Sequence, residues 1–160
     1  MNTAFLKILG LALVLSYGTA GIGGALTELG PWYYALRHPE WKPPDAAFGV
    51  VWSTIFTLCA ISGALAWRAA QSAGLRARVL LLFGANAVLN ILWSLLYFKL
   101  HRPDWALVEV ALLWLSIVVL IRGLWPISRV ASLLLLPYLV WVSIASMLNL
   151  STVQLNGPFG

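Results

Sequence analysis

Five apolar runs, each long enough to cross a bilayer, constrain this chain more than any other feature. A helix crosses the roughly 30 Å hydrocarbon core with about 20 residues, at about 1.5 Å per residue. The sequence is 61% hydrophobic and only 9% charged, outside the usual composition of soluble domains. The runs cover residues 5–26, 46–67, 79–98, 105–121 and 129–149. Their linkers are short, which predicts an all-α integral membrane protein with one five-transmembrane-helix bundle over residues 1–160. Pro137 lies inside the last run and removes one backbone hydrogen bond, which predicts a kink in the fifth helix.

The basic residues predict the orientation of this bundle. Six lie on the side of the N-terminus and of the second and fourth linkers: Lys7, Arg68, Arg76, Arg78, Arg122 and Arg129. Four lie on the other side: Arg37, Lys42, Lys99 and Arg102. Cytoplasmic flanks carry an excess of Lys and Arg, so the bias places the N-terminus in the cytoplasm. The cations form no run or stripe, and no nucleic-acid partner is expected.

The first apolar run has two interpretations. Gly18-Thr19-Ala20 resembles the small-residue cleavage site of a signal peptide. Apolar and small residues continue to Leu26, however, which completes a spanning length and favours a retained helix. Ser16, Ala20 and Gly24 recur every four residues, a spacing that predicts close packing against a neighbouring helix.

A stiff aromatic segment, residues 27–45, joins the first two runs. Residues 31–44 carry four aromatic residues and four prolines. Proline fixes φ and opposes a long helix, so we expect an ordered, partly extended, lid-like loop. Aromatic rings tend to leave water, so they should fold onto the bundle or the membrane surface. The segment is therefore either a lid over the bundle or an interfacial aromatic belt.

The nine tryptophans separate into two groups. Five lie near the ends of the runs, where membrane proteins commonly place this amphipathic ring: Trp32, Trp41, Trp67, Trp105 and Trp125. Four lie well inside the runs: Trp52, Trp93, Trp114 and Trp141. Flat indoles at membrane depth predict a pocket for a large, flat, apolar ligand.

Helical spacing places several of these rings on faces that also carry amides. Side chains three or four residues apart share a helix face. The shared faces are Phe48, Trp52 and Phe56; Asn86, Asn90, Trp93 and Tyr97; and Trp141, Ala145, Leu148, Asn149 and Thr152. Polar groups in a membrane face the bundle interior. Antiparallel order then predicts a cavity of indoles and amides in the half of the bundle beneath residues 27–45.

Each part of this predicted cavity has a simpler alternative. Any one of Asn86, Asn90 and Asn149 could instead join helices through hydrogen bonds worth about 0.6–2 kcal/mol. Glu109 either serves a proton path or reaches the interface. Trp114 has no polar neighbour on its own face and is expected to pack or to contact lipid. These alternatives leave unexplained why several helices place Trp and Asn inward at one depth.

Conventional catalysis and metal binding are not expected. The sequence has no paired carboxylates, no metal-ligand spacing, no glycine-rich phosphate loop and no Cys-x-x-Cys. Cys59 is the only cysteine, so an intramolecular disulfide is impossible. His38 and His101 lie in linkers on one side and could approach a metalloporphyrin, but surface histidines are far commoner. We predict no metal site.

The ordered motifs of the chain resemble the tryptophan-rich sensory protein/translocator protein family, also called the mitochondrial benzodiazepine receptor family. The matching residues are Trp32-Tyr33, Leu36, Pro39, Trp41, Pro43-Pro44 and Trp52; Asn86, Asn90-x-x-Trp93 and Tyr97-Phe98; Ala106-Leu107-Val108-Glu109; and Pro137-Tyr138-x-x-Trp141, Ala145, Leu148-Asn149 and Leu155-Asn156. They span nearly the whole chain after the first run. The ordered combination is highly specific, whereas a single Trp-Tyr pair would mean little.

The resemblance implies a homodimeric membrane receptor or sensor. It would bind porphyrins, tetrapyrroles of the protoporphyrin IX type, and related flat hydrophobic ligands within the bundle, with no cofactor required. Family members also bind isoquinoline and benzodiazepine-type drugs. The pocket residues carried over are Tyr33, Trp52, Phe56, Asn90, Trp93, Trp141 and Ala145. Trp32, Phe48 and Asn149 complete the predicted ligand-binding set.

Two further functions stay open. Some bacterial family members degrade porphyrin in light, and tryptophans at the positions of Trp52 and Trp141 are implicated. Both are present here, and they would be the catalytic residues of such an enzyme. A tetrapyrrole transporter is the third hypothesis, although the chain lacks the inverted repeat common among secondary transporters.

The sequence departs from the family pattern after the fifth run. The animal sterol motif needs an aromatic and then a basic residue there. Residues 150–156 contain neither, and no Lys or Arg follows Arg129. Cholesterol is therefore not expected as a partner through this motif, and the partners that we expect are porphyrin and membrane lipid. The short termini favour a prokaryotic member in a bacterial cell envelope.

Overall fold

The computed structural model describes residues 3–160, and all regular structure in that range is helical. The helices are α1 (Thr3–Leu26), α2 (Pro31–Ala35), α3 (Asp45–Ala69), α4 (Ala73–Ser94), α5 (Pro103–Leu124), α6 (Arg129–Leu133) and α7 (Leu136–Asn156), and a π-helical turn (Leu95–Lys99) continues α4. Five segments are long and apolar enough to cross a membrane: Thr3–Leu26, Asp45–Ala69, Ala73–Lys99, Pro103–Leu124 and Arg129–Asn156. The predicted all-α, five-span architecture is confirmed.

Two helix ends lie several residues from their predicted positions, and polar side chains explain both. α4 begins at Ala73 rather than at residue 79, because the Ser72 hydroxyl caps the helix by accepting a hydrogen bond from the Leu75 N–H at 3.2 Å. α7 continues to Asn156, beyond the predicted end at residue 149. The Thr152 hydroxyl in this extension bonds to a helix carbonyl four residues earlier, which satisfies its polar group inside the helix.

Prolines begin helices in this fold. Pro137 lies in the first turn of α7, and the chain breaks before it, at residues 134–135. A kink within one continuous fifth helix was the wrong expectation, because a proline in the first turn removes no helical hydrogen bond. Pro31 and Pro103 take the same position in α2 and α5. Residues 27–45 therefore contain a short helix and are not simply extended.

The five long helices form a closed circle. Neighbours along the circle are α3 with α1, α1 with α4, α4 with α5, and α5 with α7. Ring contacts between α3 and α7 close it, with centroid separations of 5.4 Å for Phe48–Trp141 and 6.1 Å for Trp52–Tyr138. The short helix α6 packs against α3 and α5. Inward faces of all five spans therefore meet in one interior.

The small residues of α1 contact neighbours at fewer points than their spacing predicts. The Ser16 hydroxyl donates to the Phe56 carbonyl of α3 at 2.7 Å. Gly24, in contrast, would have open space around an added Cβ. At Gly23 an added Cβ would lie 3.6 Å from the Ser94 hydroxyl, so this glycine marks the close approach of α1 to α4.

Charge differs between the two ends of the bundle. The end that carries residues 27–45, here called the lid segment, is the loop end; the end with the N-terminus and residues 70–72 is the linker end. The loop end holds four basic residues and four of the five acidic residues, Glu28, Glu40, Asp45 and Asp104. The linker end holds six basic residues and none of the acidic ones. The orientation of the bundle, with a cytoplasmic N-terminus, stays a prediction.

Candidate functional site

The lid segment is folded onto the loop end of the bundle. Tyr33 is only 6% exposed. The Arg37 backbone N–H donates to Asn156 Oδ1, and Asn156 Nδ2 donates back to the Arg37 carbonyl, both at 2.8 Å. The Trp32 ring stacks on His101, with centroids 4.1 Å apart. Both the end of α7 and the linker before α5 therefore hold the segment in place.

Other aromatic residues of the lid segment face outward. Tyr34 is more than half exposed and Trp41 is about half exposed. Trp105 and Trp125, at other helix ends, are also about half exposed. Their positions suit the interfacial belt that was one of the two interpretations of the segment. The segment therefore combines a docked part around Tyr33 with an exposed aromatic part at Tyr34 and Trp41.

Neutral and paired groups surround Tyr33 beneath the segment. Its hydroxyl donates to Asp45 Oδ1 at 3.2 Å, and Asp45 forms a salt bridge with Lys42. Burial raises the pKa of the Tyr33 phenol. Burial also lowers the pKa of His38, whose Nε2 lies 3.3 Å from the Tyr33 carbonyl oxygen. The covering layer is therefore held by neutral rings and one ion pair.

Below the lid segment, aromatic rings from three helices pack together. We call Phe48, Trp52, Trp93, Tyr138 and Trp141 the aromatic cluster, since all five belong to one hydrophobic core with Ile55, Val110, Leu113, Ile117 and Val142. Trp141 is buried at 9% exposure, and the other indoles of the cluster are half-buried. α3, α4 and α7 therefore direct these rings inward, towards one another.

Trp93 connects the aromatic cluster with the residues directly under the lid segment. Its ring stacks on Tyr97 at 5.1 Å and meets Phe98 edge-on at 5.8 Å. Tyr97 in turn packs with Tyr33 and Ala106 in a second buried group. Aromatic contact is thus continuous from the lid segment into the bundle.

A relay of polar side chains crosses the middle of the bundle. Asn90 Nδ2 donates to the Tyr138 hydroxyl, and this hydroxyl donates to Asn86 Oδ1, both at 3.1 Å. Asn86 Nδ2 completes the relay by donating to the Ser116 hydroxyl at 2.8 Å. These bonds join α4, α5 and α7, which is the helix-joining role considered for the asparagines.

Asn149 joins helices nearer the loop end. Its Oδ1 accepts a hydrogen bond from Trp93 Nε1 at 3.2 Å, and its Nδ2 donates to the Pro103 carbonyl at 2.9 Å. The residue is almost completely buried. Asn149 therefore orients the Trp93 indole while tying α7 to the start of α5.

In the described part of the chain, His38 Nδ1 in the lid segment has no hydrogen-bond partner, and neither do two buried polar groups in the bundle beneath it. They are the Glu109 carboxyl, with the residue 4% exposed, and Trp141 Nε1. The Asn86–Ser116 hydrogen bond shows that these two residues lie at the same depth on the antiparallel helices α4 and α5. Trp93 and Glu109 each lie seven residues nearer the loop end, so they also lie at one common depth. Glu109 thus does not reach the interface. An unmet buried polar group costs about 1–3 kcal/mol, so both groups are candidates for contact with a bound molecule.

The structure distributes the ten predicted ligand-binding residues over three places. Phe48, Trp52, Trp93 and Trp141 lie in the aromatic cluster, with Asn149 bonded to it. Trp32 and Tyr33 lie in the docked part of the lid segment. Phe56 and Asn90 line a cavity described below, and Ala145 is half-buried one turn beyond Trp141 on α7.

A cavity of about 420 Å³ lies between α1, α3 and α4 in the linker-end half of the bundle. Phe56, Asn90 and Tyr138 mark its inner end. Trp52 and Trp141 do not line it. This cavity is therefore displaced towards the linker end from the position beneath the lid segment that the sequence predicts.

Two of the groups that organise this interior were not among the predicted site residues. Tyr138 is the centre of the polar relay, and its position three residues before Trp141 was the available signal. Trp114 does have a polar partner, since its Nε1 donates to the Ser143 hydroxyl at 2.9 Å. That partner lies on α7, so the residues on the same face of α5 could not predict it.

The fold and its aromatic interior define a multi-pass integral membrane protein. Residues 10–155 match the TspO/MBR family, and the chain belongs to this family. It is 37% identical to the tryptophan-rich protein TspO of Chlorobaculum tepidum, over 94% of this chain and 98% of that protein. It is 35% identical to protein CrtK of Rhodobacter capsulatus over 86% of each chain. Identity to the translocator protein of Homo sapiens is 30%, over 74% of this chain and 70% of that protein.

Proposed function

We propose that this protein is a membrane receptor or sensor that binds porphyrins, tetrapyrroles of the protoporphyrin IX type, at the aromatic cluster beneath the lid segment. The observation that carries the proposal is the convergence of rings from α3, α4 and α7 beside two buried polar groups without partners. A flat macrocycle gains free energy by stacking its faces on indoles and burying them from water.

The unpartnered polar groups match the polar atoms of a porphyrin. A free-base porphyrin carries N–H donors at its centre and carboxylates at its edge. Glu109 offers acceptor oxygens, and Trp141 Nε1 offers a donor. Phe48 and Trp141 contact each other, so a macrocycle would enter by separating these rings under the lid segment.

A dark titration with protoporphyrin IX tests the proposal. We expect saturable quenching of tryptophan emission, with affinity reduced about 3- to 10-fold in Trp52→Ala and in Trp141→Ala, the equivalent of one lost aromatic contact. Trp125→Ala is the matched control, because Trp125 is interfacial and lies outside the aromatic cluster. Unchanged affinity in both cluster variants would remove the support for this site.

Light-dependent porphyrin degradation is a second candidate, favoured by one contact. The Trp52 ring lies 6.1 Å from the Tyr138 ring, so two oxidisable side chains adjoin the proposed site. An illuminated arm of the same titration should then show loss of porphyrin absorbance and a defined product. Trp52→Phe and Trp141→Phe should slow that loss, and degradation at the parent rate in both would exclude this role. A transporter ranks third and would need flux in sealed vesicles.

We also propose a location and an oligomeric state, both on the basis of the family. A bacterial cell envelope agrees with the Chlorobaculum and Rhodobacter relatives that match over most of this chain. The homodimer and the exclusion of cholesterol through the sterol motif stay predictions. Size-exclusion chromatography with light scattering measures the first, and competition with labelled cholesterol measures the second.

A further inference from the structure

The cavity of about 420 Å³ lies apart from the aromatic cluster and exists because small residues face one another across three helices. They are Ala12 on α1; Ala60, Gly63 and Ala64 on α3; and Gly84 and Ala87 on α4. Helices α1 and α4 approach closely at Gly23 and Ser94, near the loop end. Towards the linker end the small side chains leave the space between these helices unfilled.

The depth of the cavity corresponds to one leaflet of a bilayer. Its lining runs from Trp67 to Phe56 along α3 and from Val79 to Asn90 along α4. Eleven residues of helix rise about 17 Å, roughly half of the 30 Å hydrocarbon core. The cavity therefore extends from the interface at the linker end to about the middle of the membrane.

The cavity faces lipid along the edge between α1 and α4. Leu11 and Leu15 on one helix and Leu80 on the other line it, and all three are more than half exposed. A hydrocarbon chain can therefore enter sideways from the bilayer. At the inner end, the Asn90 and Tyr138 side chains are hydrogen-bonded to each other, so the deepest part of the cavity offers few free hydrogen-bond donors or acceptors.

Cations surround the outer end of the cavity. The Arg76 guanidinium lies 5.3 Å from the ring of Trp67, which lines the cavity, and Arg68 lies 4.6 Å from the ring of Phe5. Over residues 3–160 neither arginine takes part in a salt bridge. All four acidic residues outside the bundle interior lie at the opposite end. The two arginines would therefore attract an anionic lipid headgroup, and no carboxylate at this end would compete with it.

We propose that this cavity is a binding site for one anionic phospholipid, with an acyl chain in the cavity and the headgroup phosphate on Arg68 and Arg76. The cavity is apolar and as deep as one leaflet, so it accommodates a single acyl chain. The positive charge at its outer end favours an anionic headgroup. The proposal is independent of porphyrin binding at the aromatic cluster.

Native mass spectrometry of the detergent-purified protein tests the headgroup preference, with phosphatidylglycerol and phosphatidylcholine of the same acyl chains as probes. We expect one phosphatidylglycerol to bind about tenfold more tightly than phosphatidylcholine. Arg68→Gln with Arg76→Gln should abolish that preference. Arg122→Gln with Arg129→Gln is the matched control, since it removes two linker-end charges away from the cavity. Equal affinity for the two lipids in the parent protein would overturn the proposal.

A cavity-filling substitution tests where the chain lies. Gly84 lines the cavity, and an added Cβ there meets nothing within 4 Å, so Gly84→Leu should fold and lower the affinity for both lipids about tenfold. Gly21→Leu is the control, because Gly21 is equally open but lies outside the cavity. Unchanged lipid affinity in Gly84→Leu, with or without a change in oligomeric state, would show that another occupant or none fills this space.

Photo-labelling of the parent protein gives a measurement that needs no variant. Phosphatidylglycerol with a diazirine at the chain end should label Phe56 or its neighbours at the inner end of the cavity. A diazirine near the headgroup should label Trp67 or Ile8 at the outer end. Labels scattered over the lipid-facing surfaces of all five spans, with no dependence on diazirine position, would contradict a defined site.

Discussion

The two halves of this bundle are built from the same five helices but differ in what those helices present to the interior. The loop-end half is filled by large rings that contact one another, from Tyr33 in the lid segment to Trp141 in α7. The linker-end half has a packed core around Leu120, Leu124 and Leu135, but between α1, α3 and α4 it brings alanine and glycine together and contains the cavity of about 420 Å³. Side-chain volume, and not helix number or hydropathy, therefore decides where the interior is packed and where space remains.

The halves differ in electrostatics as well. In the described part of the chain, all three salt bridges lie at the loop end, and Lys99 bonds Glu28 there at 2.5 Å. The linker end holds six cations and no acidic residue. Charges at the loop end are thus paired internally, whereas no acidic residue accompanies the cations of the linker end, and we therefore propose different ligands for the two halves.

The largest expected effect comes from enlarging a small residue in each half. Ala106→Leu should destabilise the protein by about 1–3 kcal/mol, because Ala106 is fully buried against Tyr33 and Tyr97. Gly84→Ala, where an added Cβ has open space, should leave stability unchanged or raise it. Reversible unfolding in mixed detergent micelles measures both. Equal destabilisation by the two substitutions would show that the halves do not differ in packing.

Removing the hydroxyl at the boundary of the halves should cost about 1–2 kcal/mol. Tyr138→Phe keeps the ring but leaves Asn90 Nδ2 and Asn86 Oδ1 without their shared partner. The same unfolding measurement applies, and Tyr34→Phe is the control because Tyr34 is exposed. A loss equal to that of the control would mean that the relay contributes nothing to joining the halves.

Releasing the lid segment should have a smaller effect, confined to the loop-end half. Asn156→Ala removes the two hydrogen bonds with the Arg37 backbone, an exposed contact worth about 1 kcal/mol. Hydrogen exchange of residues 31–44 should accelerate several-fold, while exchange around the cavity stays the same. Gln154→Ala, an exposed neighbour on α7, provides the control. Acceleration in both halves would indicate general destabilisation instead of lid release.

The smallest effect concerns pH. Burial, with help from the nearby Lys42 charge, lowers the pKa of His38 below its ordinary value of 6.5. Its contribution to lid docking is therefore present above pH 6.5 and is lost as the pH falls through the lowered pKa, because protonation favours the undocked segment. Exchange of the lid segment should rise as the pH decreases, after correction for the intrinsic rate. His38→Gln should flatten this dependence, and an unchanged slope in that variant would assign it to another group.

Much of the fold could be predicted because membrane spans are local features of a sequence. The positions of the five spans and the inward direction of Trp52 and Trp141 follow from run length and helical spacing. The end of α7 was predicted too early, at residue 149, because the polar residues beyond it interrupt the apolar run, whereas the Thr152 hydroxyl donates a hydrogen bond within the helix. The break before Pro137 was predicted as a kink because periodicity continues across it.

The candidate site was less predictable because its contacts join distant helices. The pairing of Trp114 with Ser143, the isolation of Glu109 and the close approach at Gly23 each depend on which faces meet. Register between helices is set by the sum of many contacts and cannot be obtained from one helix at a time.

The sequence by itself determined that this is a five-span membrane bundle with indoles and amides turned inward, because hydrophobic length and helical periodicity act within each segment. Only the tertiary structure decided where the rings close up and where space remains. That outcome depends on the side-chain volumes that meet from α1, α3 and α4, on the partners that α4 supplies to Tyr138, and on the lack of any partner for Glu109 in the described part of the chain.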